Sequence, residues 1–423
     1  MRVSFLPRGD AVITCILLAC ILENPVLAIA HRMGLPVNFL VVSAAQIAIT
    51  AFAFLYVYLK GATVTRYYVA TIMLIALCVA QAVLIREKLD LQFIYSISLL
   101  PIFTMLGYCS DRLNVGALKL ILYVVVIVAL LEAVDTPLYI DIFNPYAYYT
   151  LTRPFAANAA ARSMIADSAG QMSQLYMGSY RTGGSFFGLE HRVGSLFLEP
   201  ISLGYYAVIT AITFLKIPSL RRLSRVAIIA LCLLLAVMSD TRVAVFLVCV
   251  SILLSFILPR ANSYYVYVLP AAIAALVIIG WLSVDLSRFG DLSLRLRITF
   301  GGLQHISVYQ AVFGGLDVSS TGDSGILYLI ANCGIVGSYA YVLLASGIFL
   351  GSGRTSDLSG MVLIYCVITL MFGGATMSIK TASVMGYGLG ALIKERHRDF
   401  APRNARDPVC PCGEPTTRAA EAQ

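Results

Sequence analysis

Apolar residues in this chain come in long unbroken runs, not in the three-to-four spacing of a helix that buries one face and wets the other. Twelve such runs stand out, at 11–30, 35–59, 66–85, 91–110, 117–134, 197–215, 224–239, 243–259, 264–283, 323–349, 358–375 and 377–393. A helix needs about 17–25 residues to cross the hydrocarbon core of a bilayer, and the runs at 224–239 and 377–393 are at the short limit. Backbone in lipid must satisfy its own hydrogen bonds, so these runs predict helices. The expected fold is all-α: a polytopic transmembrane helix bundle of about 12 spans.

The polar stretches between the runs divide the chain. Spans one to five fill residues 1–134, a large extracytoplasmic loop follows at 135–196, and spans six to nine fill 197–283. A second such loop at 284–322 carries an interfacial helix, spans ten to twelve fill 323–393, and residues 394–423 form a cytoplasmic tail expected to be disordered. Composition agrees: 59% of residues are hydrophobic and 12% charged, which excludes an ordinary soluble domain.

Lysine and arginine set the orientation. With the N-terminus inside, 18 of the 30 basic residues fall on the cytoplasmic side, including Lys216, Arg221, Arg222, Arg225 and the tail. Short outer connections hold Arg32, Arg86, Lys88, Arg242 and Lys380. Both termini are therefore expected to be cytoplasmic. The net charge of +8 follows from this asymmetry, and no basic stripe with interleaved aromatics points to nucleic acid. Arg2, Arg8 and Ala28-Ile29-Ala30 resemble a cleavable signal peptide, but an uncleaved first span is the expectation. Eight cysteines lie singly in or near apolar runs as small hydrophobes, and Cys410-Pro411-Cys412 has no histidine or second pair to make a metal site. No metal or cofactor is expected.

The first loop is far longer than a helix connector needs to be. Tyr139, Phe143, Tyr146, Tyr148, Tyr149, Phe155, Tyr176, Tyr180, Phe186 and Phe187 lie in it beside Arg153, Arg162, Arg181 and Arg192. Such side chains suit a sugar or phosphate groove; equally, they suit a cap packed over the bundle. Residues 155–177 have helical composition, ended by Gly178 and Gly183-Gly184. In the second loop, residues 294–313 read as a surface helix interrupted at Gly301-Gly302, with Arg297, Gln304 and His305 on one face.

Four features recur at the expected outer edge of the membrane. Arg192 is followed by Glu199-Pro200, so the sixth span should start near Glu199. There the helix dipole favours an ionised carboxylate. The others are the turn Ser239-Asp240-Thr241-Arg242, Arg297, and Asp323-Ser324-Gly325 opening the tenth span. Three converging guanidinium forks suit a diphosphate, and a nearby carboxylate suits proton removal from a sugar hydroxyl. Alternatively, Arg192 pairs with Glu199, and Arg242 with Asp240 or Asp323, merely to hold loops down.

Several stretches carry a resemblance. They are Arg192-Val193-Gly194-Ser195-Leu196-Phe197-Leu198-Glu199-Pro200, then Ser239-Asp240-Thr241-Arg242-Val243-Ala244. Arg297 follows, then Phe313-Gly314-Gly315, Asp323-Ser324-Gly325 and Asn332-Cys333-Gly334-Ile335-Val336-Gly337. In their order, and with the long loop and number of spans, the chain resembles the bacterial polysaccharide polymerase and O-antigen ligase superfamily. Within it, the chain is most similar to exopolysaccharide (xanthan-type) repeat-unit polymerases.

The resemblance implies an undecaprenyl-diphosphate-linked oligosaccharide as substrate at the periplasmic face of the inner membrane, no cofactor, and a flippase and chain-length co-polymerase as partners. It implies that Arg192, Arg242 and Arg297 hold the departing diphosphate and that Glu199 or Asp323 is the base, with His305 a further substrate-binding candidate. Ligases of the superfamily place a functional histidine before the tenth span, where this chain has Asp323-Ser324. Ligase, transporter and structural partner of an envelope assembly complex are the competing expectations. A transporter calls for ionisable groups or broken helices near the bilayer midplane; Glu23, Gln81 and Glu132 are the residues nearest to meeting that need.

Overall fold

The computed structural model describes residues 9–61, 65–86, 89–110, 112–152, 175, 179, 187–258, 291–315, 324–350 and 356–400. The expected ninth span at 264–283, most of the helix expected at 155–177, Asp323 and the tail beyond 400 lie outside them. The described residues are helical, with no strand among them. Six helices are long and apolar enough to cross a membrane, and three shorter apolar helices accompany them.

Polar caps mark where the apolar runs begin. Helices α1 (Gly9–Arg32), α2 (Phe39–Leu59), α3 (Thr65–Gln81), α4 (Leu91–Cys109) and α5 (Val115–Val134) form the first half. Asn38, Asp90 and Asn114 cap α2, α4 and α5, each accepting from the backbone N–H three residues on at 3.0–3.1 Å. A π turn, Ala82–Arg86, extends α3. Two short helices follow, α6 (Thr136–Phe143) and α7 (Pro145–Thr152), joined by Asn144 in the left-handed conformation.

The second half holds α8 (Pro200–Leu215), α9 (Arg222–Met238) and α10 (Arg242–Ile257). After them come α11 (Asp291–Gln304), α12 (Val308–Phe313), α13 (Gly325–Ala345), α14 (Ser356–Phe372) and α15 (Ile379–Phe400). Helix α15 is the axis of the bundle and is buried from Ile379 to Ile393. Its Gly386 and Gly390 meet the backbone of α4 around Leu100–Thr104, where a Cβ would collide with the Thr104 carbonyl. Gly388 turns to Thr213 of α8, and Gly107 of α4 makes room for the Tyr387 backbone. Small residues at this spacing let backbones approach closely, which is how helices gain packing in lipid.

The region 294–313 departs from expectation. Helix α11 runs through Gly301-Gly302 without a break, because Gly302 is a packing glycine whose absent Cβ leaves room for Leu327 of α13. The chain breaks instead at 305–307, where Ser307 and Gln310 form a capping box that starts α12. Helix α11 also packs inward: Leu296 and Phe300 join Met371, and the Thr299 hydroxyl donates to the Met371 carbonyl at 3.0 Å. Helix α13 kinks at Gly334, with φ of +64°, where the end of α12 fits against it. Ser324 caps α13, its side chain accepting from the Leu327 N–H.

Candidate functional site

The segment Arg192–Pro200 is the centre of the polar end of the bundle. Arg192 is 5% exposed. Its Nε donates to the Ser239 carbonyl at 3.0 Å and its Nη2 to the Thr241 hydroxyl at 3.2 Å. Alongside, the Val193 N–H donates to the Met238 carbonyl at 3.0 Å. Two of the four features predicted from sequence are therefore one structure, formed by residues almost fifty positions apart. Gly204 of α8 completes the joint, since a Cβ there would sit 2.8 Å from Thr241 Cβ. Arg242, half-buried, opens α10 directly after that turn.

The segment turns sharply. Ser195 and Leu198 take left-handed backbone angles (φ +51° and +56°), as does Asp240 in the neighbouring turn (φ +46°). Non-glycine residues in such regions cost roughly 1–3 kcal/mol each and persist only where their surroundings hold them. Gly194 allows the chain to fold back, a Cβ there being 2.8 Å from the Glu199 nitrogen. Glu199 then stands at the N-cap of α8 with Pro200 in the first turn, as predicted. Its partly exposed carboxylate accepts from the Ser202 hydroxyl at 3.0 Å.

Two side chains that sequence reasoning did not assign to this segment grip it, and a third lies beside one of them. Glu132, 1% exposed on the last turn of α5, accepts from the Gly194 and Ser195 N–H groups at 2.6–3.1 Å. Lys380, 2% exposed, donates to the Phe197 carbonyl at 3.0 Å. His191 places Nε2 3.8 Å from Glu132 Oε1, and burial lowers its pKa below the ordinary histidine value even though Glu190 raises it. The signal was present in part. Lys380 is a lone cation inside the apolar run 377–393, where it needs a partner, but its position near the start of that run makes it look like a charge at an outer connection.

Four aromatic residues of the first loop, on α6 and α7, pack into the protein. Tyr139, Phe143, Tyr148 and Tyr149 are all buried and pack in one cluster with Ala28, Val37 and Leu198. Their hydroxyls are committed within the protein: Tyr139 to the Ser195 carbonyl (2.7 Å), Tyr149 to the Phe197 carbonyl (3.0 Å) and Tyr148 to Asn24 (2.7 Å). For α6 and α7 the cap reading holds, because tyrosine brings a large apolar ring and one donor that can reach a loop carbonyl.

Helix α11, which carries Arg297, covers the same end: it packs on Met371 at the end of α14 and on Leu327 near the start of α13. His305 lies past the end of α11 in an exposed turn, so it does not share a helical face with Arg297. Asp323 lies outside the described residues, one position before the Ser324 cap. Among the described residues no group of three metal-ligating side chains occurs.

The chain matches no protein-family model, no curated protein and no solved structure. What the site can do rests on its chemistry alone. A buried arginine organises a turn that carries a second arginine, a third lies on a helix at the same end, and a partly exposed carboxylate stands at a helix start.

Proposed function

We propose that the protein is a membrane glycosyltransferase that polymerises undecaprenyl-diphosphate-linked oligosaccharide repeat units of an exopolysaccharide. In this reading the bundle has about 12 spans with both termini cytoplasmic, in the bacterial inner membrane, and the Arg192 end faces the periplasm. The observation that carries the reading is the joint between Arg192 and the Ser239–Thr241 turn, which ties the chain just before Arg242 to the segment that leads to Glu199.

The acceptor sugar hydroxyl attacks the anomeric carbon of the donor glycan. The new glycosidic bond forms as the bond to the diphosphate breaks, with inversion, and the undecaprenyl diphosphate leaves with the electron pair. Arg242 and Arg297 stabilise its growing negative charge as bidentate donors. Arg192, which the resemblance put on the diphosphate, is buried and bonded to Ser239 and Thr241, and in this reading it instead holds the turn that carries Arg242. Glu199 or Asp323 takes the hydroxyl proton, and His305 is a peripheral substrate contact. Transfer of finished glycan to another acceptor, the ligase reaction, uses the same donor chemistry; a flippase and a chain-length co-polymerase are the expected partners of the polymerase.

The test is polymer synthesis by purified protein from a lipid-linked repeat unit. Arg297→Ala should abolish chain growth, and Arg242→Lys should lose most of it, since lysine cannot present a planar fork. High-mass polymer at parental rates from both variants, at equal protein levels, would sink the assignment.

A further inference from the structure

Two ionisable side chains that are distant in sequence close on the peptide groups of one short segment. Glu132 closes on the Gly194 and Ser195 N–H groups, its Oε2 reaching the Ser195 nitrogen at 2.6 Å. Lys380, in the first turn of α15, holds the Phe197 carbonyl at 3.0 Å, with the Tyr149 hydroxyl 3.5 Å away. The Ser195 hydroxyl adds a bond to the Val125 carbonyl at 2.7 Å. Donors and acceptors of residues 194–197 are thus taken from both sides.

A connection between two helices does not need this. One short polar residue suffices to cap the starts of α2, α4, α5 and α13, and buried ions are costly to desolvate. The grip falls on the stretch with left-handed Ser195 and Leu198, whose geometry decides where Arg192 and Glu199 point. Resting on the glycosyltransferase reading above, we propose that Glu132 and Lys380 are positioning residues. Together they hold the 194–198 backbone in the single conformation that aims Arg192 into the Ser239–Thr241 turn and sets Glu199 at the start of α8. Neither residue touches substrate; both act through the peptide groups between the two functional side chains.

The test uses the full-length protein with Glu132→Gln and Lys380→Met, which keep side-chain size while weakening or removing the grip. Amide exchange of the 192–199 segment, read by mass spectrometry, should rise at least about tenfold in both variants, the 1.4 kcal/mol equivalent of a factor of ten in local opening. Polymerisation should lose about 100-fold in kcat with KM nearly unchanged, the penalty of a misplaced reacting group. Lys380→Arg, which keeps a donor, should recover part of the rate. Unchanged exchange in both variants overturns the proposal whatever the activity. Raised exchange with parental kcat also overturns it. If the parent itself makes no polymer, the glycosyltransferase reading fails, while the exchange result still decides whether the clamp exists. Should either variant fail to fold, Tyr149→Phe removes only one hydroxyl from the Phe197 carbonyl; it should raise exchange in the same segment, and no change there would count against the clamp.

Discussion

Lys216, Asp357 and Arg396 sit at one end of the bundle, and Glu132, Lys380 and Arg192 at the other. Both trios are largely withdrawn from solvent, yet they are satisfied differently. Asp357, in the first turn of α14, takes Lys216 from the end of α8 at 2.8 Å and Arg396 from α15. Charge meets charge there, and three helix ends are tied by side chains. At the Arg192 end each ion meets backbone: Glu132 meets N–H groups, while Lys380 and Arg192 meet carbonyls. Lys394 and Glu395 also reach backbone, at Ser110 and Leu113, but that connection joins two regular helices. Ion pairs fix how far apart helices are. Ions on peptide groups fix the shape of a loop.

The contrast can be broken at either end. Asp357→Ala should have the largest effect on stability, about 3–5 kcal/mol, because two partly buried cations lose their counter-ion. Thermal unfolding in detergent would show it, while activity per folded molecule stays near parental; a selective loss of activity would erase the distinction between the ends. Gly204→Ala should cost roughly 1–3 kcal/mol by overpacking, since its Cβ meets Thr241. It should also lower kcat through the displaced turn; steady-state kinetics at matched folded protein would separate the two. The smallest effect concerns His191, whose folded-state pKa lies below the ordinary value. Its contribution is full above the unfolded-state pKa and is lost as pH falls through the lowered one. Parental protein should therefore lose thermal stability on acidification below about pH 6.5. His191→Gln should flatten that loss; an identical pH profile would show that His191 titrates alike in the folded and unfolded protein.

Much of the fold was legible in the run lengths, because lipid exposes a helix to one requirement above others, continuous apolarity. The start of α8 at Pro200 and the turn at Ser239–Thr241 followed from proline and short polar residues, whose effects are local. What was not legible depended on partners far away in the chain. Nothing near Lys380 reveals that its ammonium will meet Phe197, and nothing near Gly301-Gly302 reveals the Leu327 side chain that makes a glycine useful inside a helix. For Tyr139, Tyr148 and Tyr149 the sequence left two readings open for a physical reason: a ring suited to stack on a sugar is equally suited to fill a core and lend one hydroxyl to a loop.

The glycine groove of α15 has a consequence for the order of assembly. During synthesis α15 follows every other described helix, yet it occupies the axis between α4 and α8 and brings Lys380 to the Phe197 carbonyl. The earlier helices must therefore leave a slot open until α15 threads into it. Until then the 192–199 segment lacks half of its clamp, so its shape is fixed only when the last described helix is in place.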